Sequence, residues 1–455
     1  MKNTCFYLLL LILLAFSGCP LDINRETQAQ VQETKPERKW TFIIYMAADN
    51  DLEAAAISNF NELEAVRYGS APVSVIVLLD RSPYYDMTNG NWSGTRLYEI
   101  VSDPFGLSST IYSPRLDCPE LGLSNNSETE LNTADPFVLS RLIDFAKRAY
   151  PAEHYALIMW GHGTGWRSRA NSGVQNTPLK AVAIDDTHGQ YMSLPSFGRA
   201  IAGMGLSLIG FDTCYGAILE VVYQIRGEAS LFVGSEGEIL SSGWNYTALF
   251  NDFLQKPGLS TADLGNSIQH QYSQRYGSLG NASISQIQLS QVGNLFTKFN
   301  DFSGAVASSI TTVESRNTAL DQVLHNVEKY YFTSFPSDLY VDVFDLSLKL
   351  SVVRDSITQD AGQRQAILNA ANELETALSF AVPSSWAQNG TAKKIGVHVI
   401  PLQGAVVPAS SHEPAYIRGS VAMDKNAFVE DSPHWAPNSV PQSGSLLDKL
   451  FYWPF

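Results

Sequence analysis

The alternation of apolar strand-like runs with amphipathic helical segments constrains the fold of this chain most. Five apolar runs, each of a length that suits a buried strand, begin at residues 41, 73, 155, 206 and 231. Segments with apolar residues at helical spacing lie between them, as at 52–66, 135–150 and 193–203. Strands buried on both faces and joined by helices form a mainly parallel sheet covered on both sides. We therefore predict an α/β fold, a three-layer α/β/α sandwich, over residues 40–290.

Two other parts of the chain depart from this pattern. Residues 81–132 are rich in Ser, Asn, Gly and Pro, which predicts an insertion or a hairpin with loops. Beyond residue 290 the pattern becomes mainly helical, with strand-like interruptions at 338–346 and 395–401. We predict that residues 291–455 form a mostly helical C-terminal region that packs on the first.

The N-terminus has the pattern of an export signal. Lys2 precedes an apolar stretch at 6–16, which is too short to span a bilayer but suits a signal peptide. The stretch runs into Phe-Ser-Gly before Cys19, which resembles a bacterial lipobox with a lipidated cysteine. We expect a signal peptide over 1–18 and a polar, lipid-anchored tether over 19–39.

This interpretation places the protein in the bacterial cell envelope, either periplasmic or exposed at the surface. An ordinary signal peptide that leaves Cys19 free is the alternative. The formal net charge of −15, with no basic block to offset it, argues against a nucleic-acid partner.

Two strand-like runs end in reactive residues. His162 follows the run at 155–160, and Cys214 follows the run at 206–211. Ligands of open α/β sheets bind at the carboxyl ends of strands, and the order and 52-residue separation are close to those of caspases. We predict that Cys214 is a nucleophile, that His162 is its acid/base partner, and that the N–H groups of Gly163 and Cys214 form an oxyanion hole.

Simpler explanations exist for both residues. A buried cysteine is a common core residue, and Gly-His-Gly is a common turn. Cys118 is the other cysteine left after signal cleavage and lipidation, and a Cys118–Cys214 disulfide would abolish a nucleophile. We expect a helix over 217–225 to favour the thiolate through its N-terminus. Residues 49–51 (Asp-Asn-Asp) are interpreted as a turn and helix cap.

Several motifs together resemble the clostripain family of cysteine peptidases, which have a caspase-like fold. They are Tyr-Met-Ala-Ala-Asp-Asn-Asp-Leu-Glu (45–53), Trp-Gly-His-Gly-Thr-Gly-Trp (160–166), Phe-Asp-Thr-Cys (211–214) and Gly-Ser-Glu (234–236). The resemblance implies a dyad of His162 and Cys214, with Asp212 in the pocket that binds Arg or Lys at P1, the residue before the cleaved bond. A buried carboxylate there would pair with a basic side chain and reject neutral ones.

The resemblance has further implications. Asp212 has the alternative role of capping the following helix, and Glu236 is either a second pocket acid or a solvated loop charge. Cleavage of the precursor between His162 and Cys214 is expected at Lys180–Ala181, with Arg167 and Arg169 as other basic sites. No cofactor is needed for the chemistry. Calcium is implied only by the family, since no loop has EF-hand spacing.

These observations predict a lipid-anchored cysteine endopeptidase that cleaves proteins or peptides after Arg or Lys outside the cytoplasm. One alternative is a non-catalytic surface lipoprotein that uses the fold as a binding module. Another keeps the dyad for transpeptidation or for amide hydrolysis of a non-protein substrate. Because fold does not determine function, only the site can separate them.

Overall fold

A computed structural model describes residues 38–107, 110–165, 168–170, 178–180, 182–278, 282–332, 335–388 and 394–399, and short stretches between 427 and 450. The predicted signal peptide, most of the tether and Cys19 lie outside the described residues. The described residues belong to one compact unit.

The described strands and helices follow one another in this order along the chain. The strands are β1 (Arg38–Ala48), β2 (Val73–Arg81), β3 (Gly94–Glu99), β4 (Ala152–Trp160), β5 (Ser168–Ala170), β6 (Pro178–Lys180), β7 (Ala183–Asp185), β8 (Gln190–Met192), β9 (Leu208–Asp212), β10 (Leu231–Gly234), β11 (Ser283–Gln288), β12 (Lys329–Phe332), β13 (Phe335–Asp342), β14 (Ser384–Ala387) and β15 (Gly396–Val399). The α-helices are α1 (Glu53–Glu64), α2 (Pro136–Ala149), α3 (Leu194–Ile201), α4 (Leu219–Gln224), α5 (Tyr246–Phe253), α6 (Thr261–Tyr276), α7 (Val292–Ser309), α8 (Val313–Asp321), α9 (Val343–Val352), α10 (Arg354–Ile357), α11 (Ala361–Ala381) and α12 (Ala427–Asp431).

An eight-stranded sheet with the order β14-β11-β10-β9-β4-β1-β2-β3 organises the molecule. The five central strands, β10, β9, β4, β1 and β2, pair in parallel. The strands outside them, β3 on one side and β11 and β14 on the other, pair antiparallel. The prediction of a mainly parallel sheet is therefore confirmed.

Helices cover both faces of this sheet, because successive strand residues point to opposite sides. On β1, Phe42 and Ile44 pack into a core with residues of α1, α5 and α6. Ile43 and Tyr45 pack into a second core with residues of α2, α3, α4, α7 and α11. Two cores separated by one sheet make the predicted three-layer α/β/α sandwich, which is also confirmed.

Two buried carboxylates of α1 hold the insertion that follows β2. Glu53 forms an ion pair with Arg81 at 2.5 Å, and both side chains are fully buried. Glu64 accepts hydrogen bonds from the main-chain N–H groups of Tyr112 and Ser113. Buried polar groups are stable only when they are paired in this way. The insertion is therefore anchored to the sandwich, although β3 is its only regular strand among the described residues.

The region after residue 290 is mainly helical, but it also contributes strands to two sheets. β14 forms the edge of the central sheet, and β12, β13 and β15 form a separate antiparallel sheet. Tyr340 of β13 donates a hydrogen bond to the main-chain oxygen of Thr164 at 3.1 Å. This region therefore supports the loop that follows β4. None of the described helices is both long enough and apolar enough to span a membrane.

Candidate active site

The register between two central strands brings His162 and Cys214 to the same edge of the sheet. β4 pairs in parallel with β9, and Trp160 lies opposite Asp212. His162 and Cys214 each follow this pair by two residues. Both residues line one cleft with a volume of about 280 Å³. Strand ends that are far apart in sequence therefore meet in a single site.

Asp51 is the described hydrogen-bond partner of the His162 ring. Its Oδ1 atom lies 2.5 Å from His162 Nε2. A carboxylate at Nε2 keeps the proton of the neutral imidazole there, which leaves Nδ1 to accept a proton. The interpretation of residues 49–51 as only a turn and cap was wrong for Asp51. The sequence showed only that Asp51 follows a strand, and the pairing of that strand with β4 is what brings Asp51 to His162.

The Cys214 thiol is covered by the chain segment after β10. The main-chain N–H of Ile239 donates a hydrogen bond to Cys214 Sγ at 3.3 Å. Burial, together with the negative charges of Glu238 and Asp212, raises the pKa of Cys214 to about 12. The thiol is therefore neutral in this arrangement, so its proton must leave during attack or after the covering segment moves.

The helix after Cys214 is shorter than the predicted helix over 217–225 and begins two residues later. α4 begins at Leu219, with Ile218 at its N-cap, and has six residues. Tyr215 separates it from Cys214 with a φ of 55°, a left-handed conformation that side chains other than Gly rarely adopt. Its ring is fully buried and stacks on Tyr340 with centroids 5.1 Å apart. Tertiary packing thus holds the backbone turn directly after the thiol.

Gly163 is a point of close contact between the His162 and Cys214 loops. A Cβ atom at this position would lie 2.4 Å from the Cys214 main-chain oxygen and 2.6 Å from Thr213 Oγ1. Within the described part of the chain, the N–H groups of Gly163 and Cys214 donate to no main-chain acceptor. The two residues predicted for an oxyanion hole are therefore in contact with each other.

Asp212 is a buried carboxylate on the wall of the cleft, only 4% exposed. Its Oδ2 atom accepts hydrogen bonds from Trp244 N at 2.9 Å and from the Tyr246 hydroxyl at 3.0 Å. Its Oδ1 atom is buried with no hydrogen-bond partner in the described structure. Burial raises the pKa of Asp212 to about 7. The alternative role of helix cap is wrong, because α4 has no side-chain cap.

Glu236 does not line the cleft, in contrast to Asp212. Its side chain is fully buried and shares a hydrogen bond with Asp342, so it is not a solvated loop charge either. Glu238, two residues later, is exposed and lines the cleft. With Asp51 and Asp212 it makes an acidic cleft in which the described lining residues include no Lys or Arg. Both interpretations of Glu236 from the sequence, a pocket acid and a solvated loop charge, are therefore wrong.

The other residues considered from the sequence either do not line the cleft or lie outside the described residues. Cys118 and Cys214 are both free, which contradicts a disulfide between them, and burial raises the pKa of Cys118 to about 11. The backbones of Arg169 and Lys180 lie in β5 and β6, where Ser168 pairs with Lys180. Arg167 and Ala181 lie outside the described residues.

A group of side chains that could hold a metal ion lies next to this edge of the sheet. One ligand atom from each of Asp49, Asp80, Glu130 and Asp185 lies within 4.8 Å of the others. His188 lies beside Glu130 and Asp185. None of these five residues belongs to the wall of the cleft.

A histidine and a cysteine that follow two neighbouring central strands of an α/β sandwich are typical of cysteine peptidases with a caspase-like fold. The sequence model of the clostripain family (Peptidase C11) matches residues 44–389. The chain belongs to the clostripain family, whose cysteine peptidases need no cofactor for their chemistry.

The chain is also similar to individual members of this family. It is 29% identical over 243 residues to clostripain of Hathewaya histolytica, a match that spans 50% of this chain and 44% of that protein. A secreted C11 cysteine protease of Bacteroides thetaiotaomicron, solved with an irreversible peptide inhibitor, has a TM-score of 0.55 and 19% identity over 81% of this chain and 94% of its own. An inactive zymogen C11 protease of Parabacteroides distasonis has a TM-score of 0.54 and 18% identity over the same shares.

Proposed function

We propose that this chain is a cysteine endopeptidase that cleaves proteins or peptides after Arg or Lys. The observation that carries the proposal is the β4–β9 register, which brings His162 and Cys214 into one acidic cleft. Family membership supports the reaction class. The alignment with clostripain covers less than half of that relative, so the activity and substrate of this chain are proposals.

The chemistry begins with proton transfer from Cys214 to His162. The sulfur then forms a bond to the substrate carbonyl carbon, and the tetrahedral oxyanion accepts hydrogen bonds from the N–H groups of Gly163 and Cys214. His162 returns the proton to the leaving amine, and water hydrolyses the resulting thioester. Asp51 acts as a positioning residue, because its contact with Nε2 orients the ring and stabilises the imidazolium. Substrate must displace the Ile239 contact to reach the thiol.

Selectivity for a basic P1 residue would come from Asp212. Its unpartnered Oδ1 atom is available to a guanidinium or ammonium group, and a buried charge pair is strong when it is hydrogen-bonded. Glu238 and Asp51 add negative charge to the same cleft. A neutral or acidic P1 side chain would leave the Asp212 carboxylate unpaired, and the binding of such a substrate is therefore disfavoured.

A panel of fluorogenic peptides that differ only at P1 tests the proposed function. We expect the purified chain to cleave after Arg and Lys but not after Asp or Ala, and Cys214→Ala to lose activity by more than about 10³-fold. Asp212→Asn should lower kcat/KM for the basic peptides by about 100-fold, because it removes one partner of a buried charge pair.

Glu236→Gln is the matched control, since it removes a buried carboxylate outside the cleft and should keep the P1 preference. Cleavage after Asp would contradict the role of Asp212. An absence of cleavage, even after limited nicking between residues 165 and 182, would favour the non-catalytic binding module. Cleavage of non-peptide amides alone would favour the alternative in which the same dyad hydrolyses amides of a non-protein substrate.

The pKa of Asp212 predicts how the binding of a basic group depends on pH. Below about 7 the carboxyl is protonated and neutral, and above it carries the charge that a guanidinium needs. Agmatine should therefore bind Cys214→Ala about 10-fold more tightly at about pH 8 than at about pH 6, as measured by isothermal titration calorimetry. The double variant with Asp212→Asn should bind weakly at both values. A pH-independent dissociation constant in Cys214→Ala would contradict the assignment.

We propose that the chain cleaves itself between His162 and Cys214, after Lys180 or another basic residue there. The motivation is that Arg169 and Lys180 lie in two short paired strands between His162 and Cys214, in a polar stretch of the chain that is suited to proteolysis. Purified wild type should show a cut on gels and by mass spectrometry where Cys214→Ala stays intact, and Lys180→Ala should shift or remove the cut. Equal cleavage of wild type and Cys214→Ala would exclude self-processing.

We also propose that Cys19 carries a lipid that holds the chain in the bacterial cell envelope, at the periplasmic side or the cell surface. The apolar stretch and the small residues before Cys19 motivate this proposal. Wild type should partition with membranes and carry the mass of a lipid at its N-terminus, whereas Cys19→Ala should be released. The same fractionation and mass in both proteins would refute the anchor.

A further inference from the structure

A largely buried ion pair lies near Asp212 but outside the cleft. Arg275 of α6 and Glu62 of α1 approach to 3.1 Å, and their side chains are 20% and 15% exposed. The Nη1 atom of Arg275 donates to both oxygens of the Glu62 carboxylate, at 3.1 and 3.3 Å. Neither residue is among the described residues that line the cleft. Arg275 is therefore a cation that its own partner holds away from the substrate.

Tyr246 connects this ion pair with Asp212. The main-chain N–H of Tyr246 donates to Glu62 Oε2 at 3.0 Å, and the Tyr246 hydroxyl donates to Asp212 Oδ2 at 3.0 Å. Thr247 Oγ1 also donates to the Glu62 main-chain oxygen, at 2.6 Å. The first residues of α5 are therefore fixed between Glu62 and the carboxylate on the wall of the cleft.

Asn59 makes a second connection to the wall of the cleft. Its Nδ2 atom donates to Glu62 Oε2 at 3.3 Å, and its Oδ1 atom accepts from Trp160 Nε1 at 2.8 Å. Trp160 lines the cleft together with Asp212 and Gly243. A Cβ atom at Gly243 would lie 2.7 Å from both Asn59 Oδ1 and Asp212 Oδ2. The pocket wall is thus packed directly against the residues that hold Glu62.

The two members of the ion pair act on Asp212 in opposite directions. Burial raises the pKa of Asp212, the charge of Arg275 lowers it, and the charge of Glu62 raises it by less than Arg275 lowers it. The other titratable groups that interact with Asp212 have pKa values that burial raises, so they are uncharged near neutral pH: Cys214, Tyr246 of α5, and Tyr272 and Tyr276 of α6. The net effect of the pair therefore favours the charged form of Asp212.

A pocket for a cationic side chain needs a carboxylate that is charged before the substrate arrives. A buried carboxylate stays charged only if positive charge or hydrogen bonds compensate the loss of water. A cation inside the cleft would compete with the substrate for that carboxylate. A cation outside the cleft, paired with its own acid, provides the same compensation without blocking Asp212 Oδ1, which has no hydrogen-bond partner in the described structure.

We propose that Glu62 and Arg275 are positioning residues for Asp212, and that Arg275 keeps this carboxylate charged and so raises the affinity of the cleft for a basic P1 side chain. Glu62 holds Arg275 and the start of α5 in place. The inference rests on the proposed preference for basic P1 residues and extends it to residues that no substrate touches.

Agmatine binding to the full chain with Cys214→Ala, measured by isothermal titration calorimetry, tests the pair without self-cleavage. Arg275→Gln should weaken binding about 5-fold at about pH 7, because the loss of positive charge disfavours the Asp212 carboxylate. Glu62→Gln, which keeps an acceptor for Tyr246 N, should tighten binding about 2-fold at about pH 7. Arg275→Lys keeps the charge and should bind like the parent. At about pH 9 all the variants should bind within about 2-fold of the parent, since Asp212 is then charged in each.

The opposite changes in the two halves of one ion pair distinguish an electrostatic role from a loss of packing, which would weaken binding in both variants. Arg364→Gln is the matched control, because it removes an arginine of α11 that pairs with Asp355 outside the cleft, and it should bind like the parent. Weaker binding in both variants, or a loss in Arg275→Gln that persists at about pH 9, would overturn the proposal.

Two further results separate this inference from the proposed function. A parent protein that does not bind agmatine at any pH would refute the preference for basic P1 residues and this inference with it. A parent that binds agmatine in a pH-dependent manner, with the same affinities in Arg275→Gln and Glu62→Gln, would overturn this inference alone.

Discussion

The parallel pairing of β4 with β9 is the constraint on which the site depends. Trp160 opposite Asp212 sets the register, so the residues two positions beyond each strand must meet at one edge of the sheet. A shift of a single residue would reverse the side chains of a whole strand between the two cores. The burial of alternate residues in separate cores therefore specifies the register, and with it the meeting of His162 and Cys214.

Burial of carboxyl groups is the second organising feature of this edge of the sheet. Asp212 stays buried because Trp244 and Tyr246 donate to it, yet one of its oxygens is left for a ligand. The converging carboxylates of Asp49, Asp80, Glu130 and Asp185 follow the same principle, and the Oδ1 atom of Asp49 is buried with no hydrogen-bond partner in the described structure. Desolvated negative charge without a protein partner favours cationic groups, which is the physical basis of the proposed preference for basic P1 side chains.

The thiol itself is not activated in this arrangement. Burial keeps Cys214 protonated, although the Ile239 N–H donates to the sulfur and by itself lowers the thiol pKa. The nearby strained Tyr215, clamped by Tyr340 of the C-terminal region, gives the segment a fixed turn. Access to the thiol therefore depends on movement of the segment that contains Ile239, and that segment also carries Glu238 into the cleft.

The sequence by itself determined the parallel sandwich and the two strand ends, because hydrophobic periodicity and local start signals are properties of neighbouring residues. Asp135 before Pro136 thus marked the start of α2, and its carboxylate accepts from Phe137 N. Only the tertiary structure decided the roles of Asp51, Glu236 and Glu238. The contact between Asp51 and His162 joins residues that are far apart in the chain. Glu236 is buried outside the cleft, whereas Glu238, only two residues later, lines the cleft. The convergence of Asp49, Asp80, Glu130 and Asp185 was equally invisible, since each lies in a different segment and only the packing of the sheet, the insertion and the hairpin brings them together.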